Sequence, residues 1–284
     1  MSPWQGAPRK PHVSPSALDM YLRCGEQYRR AYIEKEKIPP GVALVKGGSV
    51  HKAAEVNFAQ KIESHVDLPV GDLLEAAASH VDQTLEREGM MLTPDEEGRG
   101  LAKVKGELVD RATALTKTFH KHIAPTVQPV LVERFVRIDL PRHSHDLLGR
   151  LDCVDDGDRV RDLKTSSRRK SEDEVQRSDQ LTFYHAAMKK ETGREPKEVV
   201  LDVLVDTKTP AVQTLRSNRT QNDKQVFLNR LNSMIQGVNA GVFPPAPLGH
   251  WCCSPKFCGY WFTCPYVNSE RTAAAAEAQE AFVP

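Results

Sequence analysis

Long hydrophobic runs and a marked net charge are both missing from this sequence. No stretch of 18 apolar residues occurs in the 284-residue chain, so the sequence offers no candidate membrane span. The first residues, MSPWQGAPRKPHVSPS, lack the apolar core of a secretory signal, and we therefore expect a cytoplasmic protein. The formal net charge is only +1, which excludes a globally basic surface and leaves any nucleic-acid contact to local patches.

The composition is that of a polar but globular chain. A hydrophobic fraction of 39% over 284 residues is enough to build a core. The Pro-rich residues 1–13 are predicted to be flexible, and residues 269–284 to form a flexible tail, which leaves a single domain over 14–268. Helix-like spacing of apolar residues predicts a helical section over about 60–124.

The most informative stretch of the chain contains an Asp-rich turn. The run Asp155-Asp156-Gly157-Asp158 is dense in turn-forming residues and predicts a hairpin between two strands. A turn centred on Gly157 places Asp152 opposite Asp162, with Cβ atoms roughly 5 Å apart. Two carboxylates that close repel each other unless a cation lies between them. Hard divalent cations such as Mg²⁺ and Mn²⁺ prefer oxygen ligands of this kind.

Lys164 adds a positive charge beside these two carboxylates. Because alternate residues of a strand share a face, Asp162 and Lys164 point the same way. A Lys in this place can orient an attacking water or stabilise charge that builds on a phosphate. A bound cation can lower the pKa of that water. Asp-rich hairpins are also common as solvated turns, so the pattern leaves open both a phosphodiester-cleaving centre and a plain turn.

A helix is predicted directly after the second strand of the hairpin. Ser171 is a candidate N-cap with Glu174 at N3, and the pattern predicts a helix over Glu172–Lys190. Gln180 and Tyr184 are four residues apart and therefore share one face of this helix. That face can lie beside the two carboxylates, although a half-buried Tyr and a solvated Gln would give the same pattern.

Basic residues are concentrated around the acidic turn. Lys and Arg contacts to a phosphate backbone give sequence-independent, salt-sensitive affinity for nucleic acid. A solvated loop has the same composition, so both interpretations stay open. The residues concerned are Arg159, Arg161, Arg168, Arg169, Lys170 and Arg177.

Taken together, these motifs resemble those of a known family. Gly149-Arg-Leu-Asp152, Asp162-Leu-Lys164 and Gln180-x-x-x-Tyr184 are similar to the motifs of the PD-(D/E)XK nuclease superfamily. More narrowly, they resemble its RecB-like exonuclease branch, which includes the nuclease domains of RecB and AddB and the CRISPR-associated exonucleases. The resemblance implies an α/β, restriction-endonuclease-like fold with a mixed central sheet flanked by helices, a helical N-terminal section and a C-terminal Cys cluster. It also implies a metal-dependent DNA exonuclease that hydrolyses phosphodiester bonds.

The resemblance extends towards the N-terminus and implies a set of metal ligands. A Gly47-Gly48 turn followed by His51, early in a helix, resembles the first motif of the branch, in which the His binds the metal. Neutral imidazole is a suitable partner for Mn²⁺ beside carboxylates. Glu55, one turn further on, is expected at the surface. The implied ligands of Mg²⁺ or Mn²⁺ are His51, Asp152, Asp162 and the backbone carbonyl of Leu163.

The resemblance also implies roles for the other candidate catalytic residues. Lys164 would position water or stabilise the developing charge. Gln180 and Tyr184 would contact DNA or order the site. The implied substrate is DNA, single-stranded or at its ends.

Four of the six cysteines lie close together near the C-terminus. They are Cys252, Cys253, Cys258 and Cys264. Because disulfides are rare in cytoplasmic proteins, this clustering favours a metal or cluster site. A structural Zn²⁺ site and an iron–sulfur cluster would both use four thiolates, so the spacing leaves both open.

Resemblance to AddB and the CRISPR-associated exonucleases favours a [4Fe–4S] cluster, with Zn²⁺ as the alternative. In those proteins one Cys precedes the nuclease motifs and three follow them, and Cys258-x₅-Cys264 has the spacing of the last two. The family often has Cys-x₂-Cys just before, whereas this chain has Cys253-x₄-Cys258, so either Cys252 or Cys253 fits and we assign Cys253. The implied ligands, within a cluster segment over 250–266 and one position upstream, are Cys24, Cys253, Cys258 and Cys264.

The biological setting is an expectation from size and resemblance. A free-standing chain of 284 residues without a helicase region suggests a phage-encoded or CRISPR-type accessory exonuclease. Its partners would be DNA and proteins of recombination, repair or CRISPR processing. Two alternatives remain: a non-catalytic DNA-binding relative, and a Zn-stabilised interaction module in which the acidic hairpin is only a turn.

Overall fold

A mixed β-sheet of six strands forms the centre of the fold. The computed structural model describes residues 10–247 and 249–267, and the elements below belong to this part of the chain. The strands are β1 (His12–Val13), β2 (Pro129–Ile138), β3 (Asp146–Asp155), β4 (Arg159–Ser166), β5 (Glu198–Val205) and β6 (Ala211–Ser217). The α-helices are α1 (Pro15–Arg23), α2 (Gly25–Tyr28), α3 (Val42–Ser64), α4 (Val70–Glu88), α5 (Pro94–Arg99), α6 (Leu101–His122), α7 (Glu172–Gln176), α8 (Asp179–Thr192) and α9 (Gln221–Asn239). A π-helical turn (Arg29–Ile33) and two 3₁₀ turns (Ala124–Thr126 and Trp261–Thr263) add to these.

The pairing of the strands leaves an opening beside β3. β2 runs antiparallel to β3 along one of its edges, from Leu147 to Asp155. On the other edge, β1 pairs with β3 at residues 146–147 and β4 pairs with it at residues 153–154. Within the described ranges, no strand therefore occupies this edge between residues 148 and 152. β4 continues in parallel to β5, and β5 runs antiparallel to β6.

Helices cover both faces of the sheet. α1, α8 and α9 pack on one face, where Phe183 and Leu231 are among the buried residues. α3, α4 and α6 pack on the other, around residues that include Phe58 and Phe119. The predicted α/β fold, a mixed sheet flanked by helices, is confirmed, and residues 60–124 are largely helical. None of the helices in the described part of the chain combines the length and apolar character that crossing a membrane requires.

The ordered fold begins earlier than the sequence predicts. Residues 1–13 are predicted to be flexible, but His12–Val13 form β1 and Val13 is buried in the core. The carbonyl of Pro11 also accepts a hydrogen bond from the Asp146 backbone N–H, 2.9 Å away. A strand of two residues is too short to leave a periodic pattern, so composition alone is misleading here. The predicted tail, residues 269–284, lies outside the described residues.

The single helix predicted over Glu172–Lys190 is in fact two. The capping box of Ser171 and Glu174 is present and begins α7. The helix then breaks, and the Ser178 side chain accepts a hydrogen bond from the Leu181 N–H to cap α8. A second N-cap residue inside an otherwise helical pattern offers the backbone a competing bond, which is what divides the segment.

Candidate active site

The predicted hairpin is present with the predicted register. Cys153 pairs with Arg161, and Val154 with Val160, so the next opposed positions along the two strands are 152 and 162. The buried Asp155 side chain holds the turn by accepting hydrogen bonds from the N–H groups of residues 157 and 159, at 3.0 and 3.1 Å. The sequence pattern therefore brings Asp152 and Asp162 to the same place between the strands.

Asp152 lies where β3 and β4 separate, at the end of the opening beside β3. Its Oδ2 atom accepts a hydrogen bond of 3.2 Å from the Leu163 backbone N–H. Its Oδ1 atom accepts one of 3.2 Å from the Tyr184 hydroxyl. The Gln180 side-chain amide in turn donates to the Tyr184 oxygen at 2.8 Å. Gln180 and Tyr184 therefore fix the orientation of the Asp152 carboxylate.

A glycine allows α8 to come this close to the sheet. A Cβ atom at Gly149 would lie 2.3 Å from Cε1 of Phe183, a distance that no side chain could tolerate. Phe183 is fully buried against this part of β3. In the Gly149-x-x-Asp152 motif, the glycine therefore makes room for Phe183, and the aspartate supplies a carboxylate to the site.

His51 reaches the same carboxylate from α3. Its Nδ1 atom is 3.6 Å from Oδ2 of Asp152, and its ring also lies at the Leu163 backbone. The predicted Gly47-Gly48 turn is wrong, because α3 begins at Val42 and both glycines are inside it. They serve close packing instead: Cβ atoms there would lie 3.3 Å from Thr165 Oγ1 and 3.0 Å from His80 Nε2, respectively.

Glu133 is a site residue that the sequence did not predict. The pairing of Val132 with Cys153, and of the residue at 134 with that at 151, sets Glu133 opposite Asp152. Ligand atoms of His51, Glu133 and Asp152 all lie within 4.8 Å of one another. Glu133 has a φ of +49°, which is costly for a residue with a side chain and typical of functional sites. An acidic residue within an apolar strand that feeds the hairpin is the signal that could have identified it.

Asp162 and Lys164 form a second pair beside this group. Asp162 is 1% exposed, and its Oδ1 atom is 3.0 Å from the Lys164 ammonium. The Lys164 side chain is 38% exposed and so reaches the open side of the site. Asp162 is not a member of the close group of His51, Glu133 and Asp152.

Burial and crowded charge shift the pKa values of these groups. Burial raises the pKa of Asp162 to about 7, with the Asp152 carboxylate adding to the shift and Lys164 opposing it. Burial and Asp152 likewise raise the pKa of Glu133 to about 7. Burial lowers the pKa of His51, with the Asp152 carboxylate opposing the shift and the Lys164 charge adding to it, and this favours the neutral imidazole. Burial opposes the charged form of Lys164, but the two Asp carboxylates outweigh it and raise the Lys164 pKa.

The donor set fits a divalent cation. Carboxylate and carbonyl oxygens suit Mg²⁺ and Mn²⁺, and a neutral imidazole suits Mn²⁺. A cation would also relieve the repulsion that raises the carboxyl pKa values of Asp162 and Glu133. The Leu163 backbone carbonyl contacts the His51 ring, so this oxygen is close enough to His51 to bind the same cation.

The site opens into a long groove between α3 and the sheet. The groove has a volume of about 1000 Å³ and is lined by α3, β2, β3 and α8, with His51, Asp152 and Lys164 in its wall. Glu55, predicted as a surface residue, is half-buried and also lines the groove. The charged groups of the site therefore lie at one point in the wall of an open, concave surface.

Most of the basic residues near the turn make ion pairs with acidic neighbours. Arg161 is buried, with its guanidinium 3.2 Å from Asp155 and 2.8 Å from Asp202. Arg168 and Lys170 both pair with Glu174. For Arg161 the DNA-facing interpretation is wrong, because residues of odd and even number on β4 face opposite sides of the sheet.

The cysteines predicted to act together surround one pocket. This small pocket lies where the end of α1 meets the C-terminal segment, and five thiols line it: Cys24, Cys252, Cys253, Cys258 and Cys264. The Ala246 N–H donates to Cys24 Sγ at 3.4 Å, and Cys252 Sγ is 3.0 Å from His250 Nδ1. Both Cys252 and Cys253 line the pocket, so the choice of Cys253 as ligand stays a prediction.

The sulfurs of these cysteines are not gathered as closely as in a closed zinc site. In a tetrahedral Zn²⁺ site with Zn–S bonds of about 2.3 Å, the sulfurs lie about 3.8 Å from each other. Among the described residues, no three thiols have sulfurs that all lie within 4.8 Å.

Comparison with known proteins identifies the family. No curated protein matches the chain. A provisionally named exonuclease from Eubacterium rectale has a similar structure, with a TM-score of 0.58 at 13% identity over 85% of this chain and 86% of that one, which shows the fold alone. The structure of SSO0001 aligns over 93% of this chain and 90% of its own at 13% identity, with a lower TM-score of 0.43. The PD-(D/E)XK nuclease superfamily matches residues 12–265. The chain therefore belongs to the PD-(D/E)XK nuclease superfamily.

Proposed function

We propose that this protein is a Mg²⁺- or Mn²⁺-dependent DNA exonuclease of the RecB-like branch. Its substrates would be single-stranded DNA or DNA ends. The observation that carries the proposal is the convergence of His51, Glu133 and Asp152 from three different elements beside the Lys164 ammonium, at the wall of an open groove. Titratable groups with shifted pKa values that converge in a cleft are typical of functional sites.

His51, Asp152, Asp162 and the Leu163 carbonyl are the proposed ligands, and Glu133 joins them because of its position. A divalent ion held by these groups would neutralise charge on a phosphate and lower the pKa of a water molecule.

The chain's own residues have the remaining roles. Lys164 holds a positive charge at the open side of the site, where it can orient the attacking water or stabilise charge on the phosphate. The Gln180–Tyr184 hydrogen bonds fix one rotamer of the Asp152 carboxylate. Burial and the nearby carboxylates raise the pKa of Tyr184 well above its ordinary value, so its hydroxyl stays protonated and donates. The site is therefore held in place before any substrate binds.

Degradation of end-labelled DNA tests the proposal. Purified protein would be incubated with single- and double-stranded DNA in Mn²⁺, Mg²⁺ or EDTA, beside Asp162→Ala. We expect the wild-type protein to shorten the DNA from an end when Mn²⁺ or Mg²⁺ is present. Asp162→Ala should not shorten it. DNA binding without cleavage by the folded, metal-loaded protein would instead indicate a non-catalytic DNA-binding relative.

We also propose that Cys24, Cys253, Cys258 and Cys264 hold a [4Fe–4S] cluster of structural importance. It would join positions 24 and 253, and a crosslink across roughly 230 residues is worth about 5 kcal/mol in the chain-entropy description. The free thiols and the five-cysteine pocket support this.

Iron analysis of anaerobically purified variants tests the cluster. Cys258→Ala should lose iron and become sensitive to protease, whereas Cys153→Ala, a buried thiol outside the pocket, should keep its iron. Comparison of Cys252→Ala with Cys253→Ala identifies the fourth ligand. Stoichiometric zinc and no iron in the wild-type protein would contradict the proposal and favour a Zn-stabilised module.

The biological setting belongs to the same proposal. A cytoplasmic, phage-encoded or CRISPR-type accessory exonuclease, with partners in recombination, repair or CRISPR processing, stays a prediction from the sequence.

A further inference from the structure

An exposed aromatic side chain lies beside the proposed metal ligands. Phe135 on β2 is 66% exposed and lines the groove. Its direct partner across the strands is Arg150 on β3, whose guanidinium carbon is 5.7 Å from the centre of the Phe135 ring. Arg150 is held there by Glu133, with its Nε atom 2.6 Å from Oε2 of that carboxylate. The ring, the guanidinium and the carboxylate thus form one connected group.

The register fixes how far this group is from the chemistry. Glu133 and Asp152 are opposed, and Phe135 and Arg150 form the opposed pair two residues further along the same two strands. Two residues of a strand span about 7 Å. The ring therefore lies about one nucleotide of an extended strand away from the proposed metal ligands.

A single exposed apolar residue needs no explanation in most proteins. Phe135 differs because it lies in the substrate groove, beside a guanidinium and next to the acidic site. Aromatic rings with nearby Arg residues are the platforms on which proteins stack the bases of single-stranded nucleic acid. Arg150 is itself half-exposed and keeps N–H donors for a phosphate, which a Lys could not present in the same plane.

The choice between paired and unpaired bases follows from the same geometry. In a duplex, each base is covered on both faces by its neighbours in the stack. Away from a duplex end, the Phe135 ring in the groove can therefore cover only a base that has left the stack. Leu44 on α3 is a second exposed apolar side chain that lines the same groove.

We propose that Phe135, supported by Arg150, stacks on an unpaired nucleobase one nucleotide from the scissile phosphate. Phe135 is then the residue that selects DNA whose bases are unpaired near the cleavage site. This inference rests on the proposed nuclease function, since it assigns the substrate contact at the same groove.

Abasic substitution tests the stacking directly. Single-stranded substrates with one abasic site, moved one position at a time past the cleavage point, would be cleaved by wild type, Phe135→Leu and Phe135→Trp. We expect wild type to slow about tenfold when one particular base is missing. Phe135→Leu should cleave every substrate at the lower rate that wild type has on the abasic strand, wherever the abasic site lies. Phe135→Trp should again cleave more slowly when that one base is missing.

A matched control keeps the comparison specific. Phe257 is also an exposed Phe, with the Lys256 ammonium 5.5 Å from its ring, but it is outside the groove. Phe257→Leu should behave as wild type. An abasic response that is equal in wild type and Phe135→Leu would overturn the proposal.

Binding separates this proposal from the nuclease function. Strands containing 2-aminopurine in place of one base would be titrated with each protein in EDTA. Stacking should quench the fluorescence of the base in the wild-type complex but not in the Phe135→Leu complex. Quenching without any cleavage would reject the nuclease function and support the stacking. Cleavage with unchanged fluorescence in both proteins would keep the nuclease and reject the stacking.

Discussion

Replacing Asp162 by Asn should abolish cleavage and, above pH 7, stabilise the metal-free protein. Asp162 is buried, and its pKa in the folded protein is about 7. In an unfolded chain an Asp has a pKa of about 3.9. The folded state therefore holds the proton more tightly, and the ionised carboxylate destabilises the fold.

The magnitude follows from the two pKa values. A raised carboxyl pKa causes no loss of stability below about pH 4, where both states are protonated. The loss grows as the pH rises towards 7 and is complete above it. About 3 pKa units at about 1.4 kcal/mol per unit give roughly 4 kcal/mol at pH 8, and less than half of that at pH 5. Asn has a similar shape and cannot ionise, so the variant escapes this loss.

Thermal unfolding in EDTA at pH 5 and pH 8 measures the effect. The Tm of Asp162→Asn should exceed that of wild type by more at pH 8 than at pH 5. This difference in Tm between the two proteins should be larger at pH 8 by roughly 5 °C or more. The cysteine pocket is intact in both proteins, so its contribution cancels. A Tm difference that is the same at both pH values would refute the reasoning, and Mn²⁺ should raise the Tm of wild type but not of the variant.

Three further substitutions test other parts of the structure. Gly149→Ala should cost about 1–3 kcal/mol of unfolding free energy because the added methyl clashes with the α8 ring, whereas Gly106→Ala, with open space around it in α6, should leave the Tm unchanged or raise it. Tyr184→Phe should lower kcat roughly tenfold or more with little change in KM, because the Asp152 carboxylate loses a donor; an unchanged kcat would remove Tyr184 from the site. Arg161→Met should cost about 3–5 kcal/mol, since two buried carboxylates lose their counter-charge; a Tm close to wild type would show that water replaces it.

The parts of the fold that depend on interactions between residues close in the sequence could be predicted. The Asp-Gly turn fixes the hairpin, and once the turn is placed, strand register puts residue 152 opposite residue 162. The same alternation puts Cys153 on the face opposite Asp152, where it is buried. The capping box at Ser171 is likewise a local interaction and is present.

The parts that depend on distant contacts could not be predicted in this way. Glu133 becomes a site residue only because β2 pairs with β3, a contact between segments that the sequence does not connect. Arg161 carries a charge that suggests an exposed surface, yet two acidic partners from β3 and β5 make its burial possible. The two glycines mislead about the start of α3, because glycines usually mark turns, whereas Gly47 and Gly48 lie inside a helix where neighbouring elements need the space.

Binding of Mn²⁺ to the metal-free protein tests the central claim most directly. Titration followed by the electron paramagnetic resonance of free Mn²⁺ would compare wild type, Asp152→Asn, Glu133→Gln and the neighbouring Glu55→Gln. The account predicts tight binding to wild type and Glu55→Gln, and binding weakened by at least tenfold when Asp152 or Glu133 is changed. Wild-type affinity in both of those variants would contradict it, because the ion would then lie elsewhere.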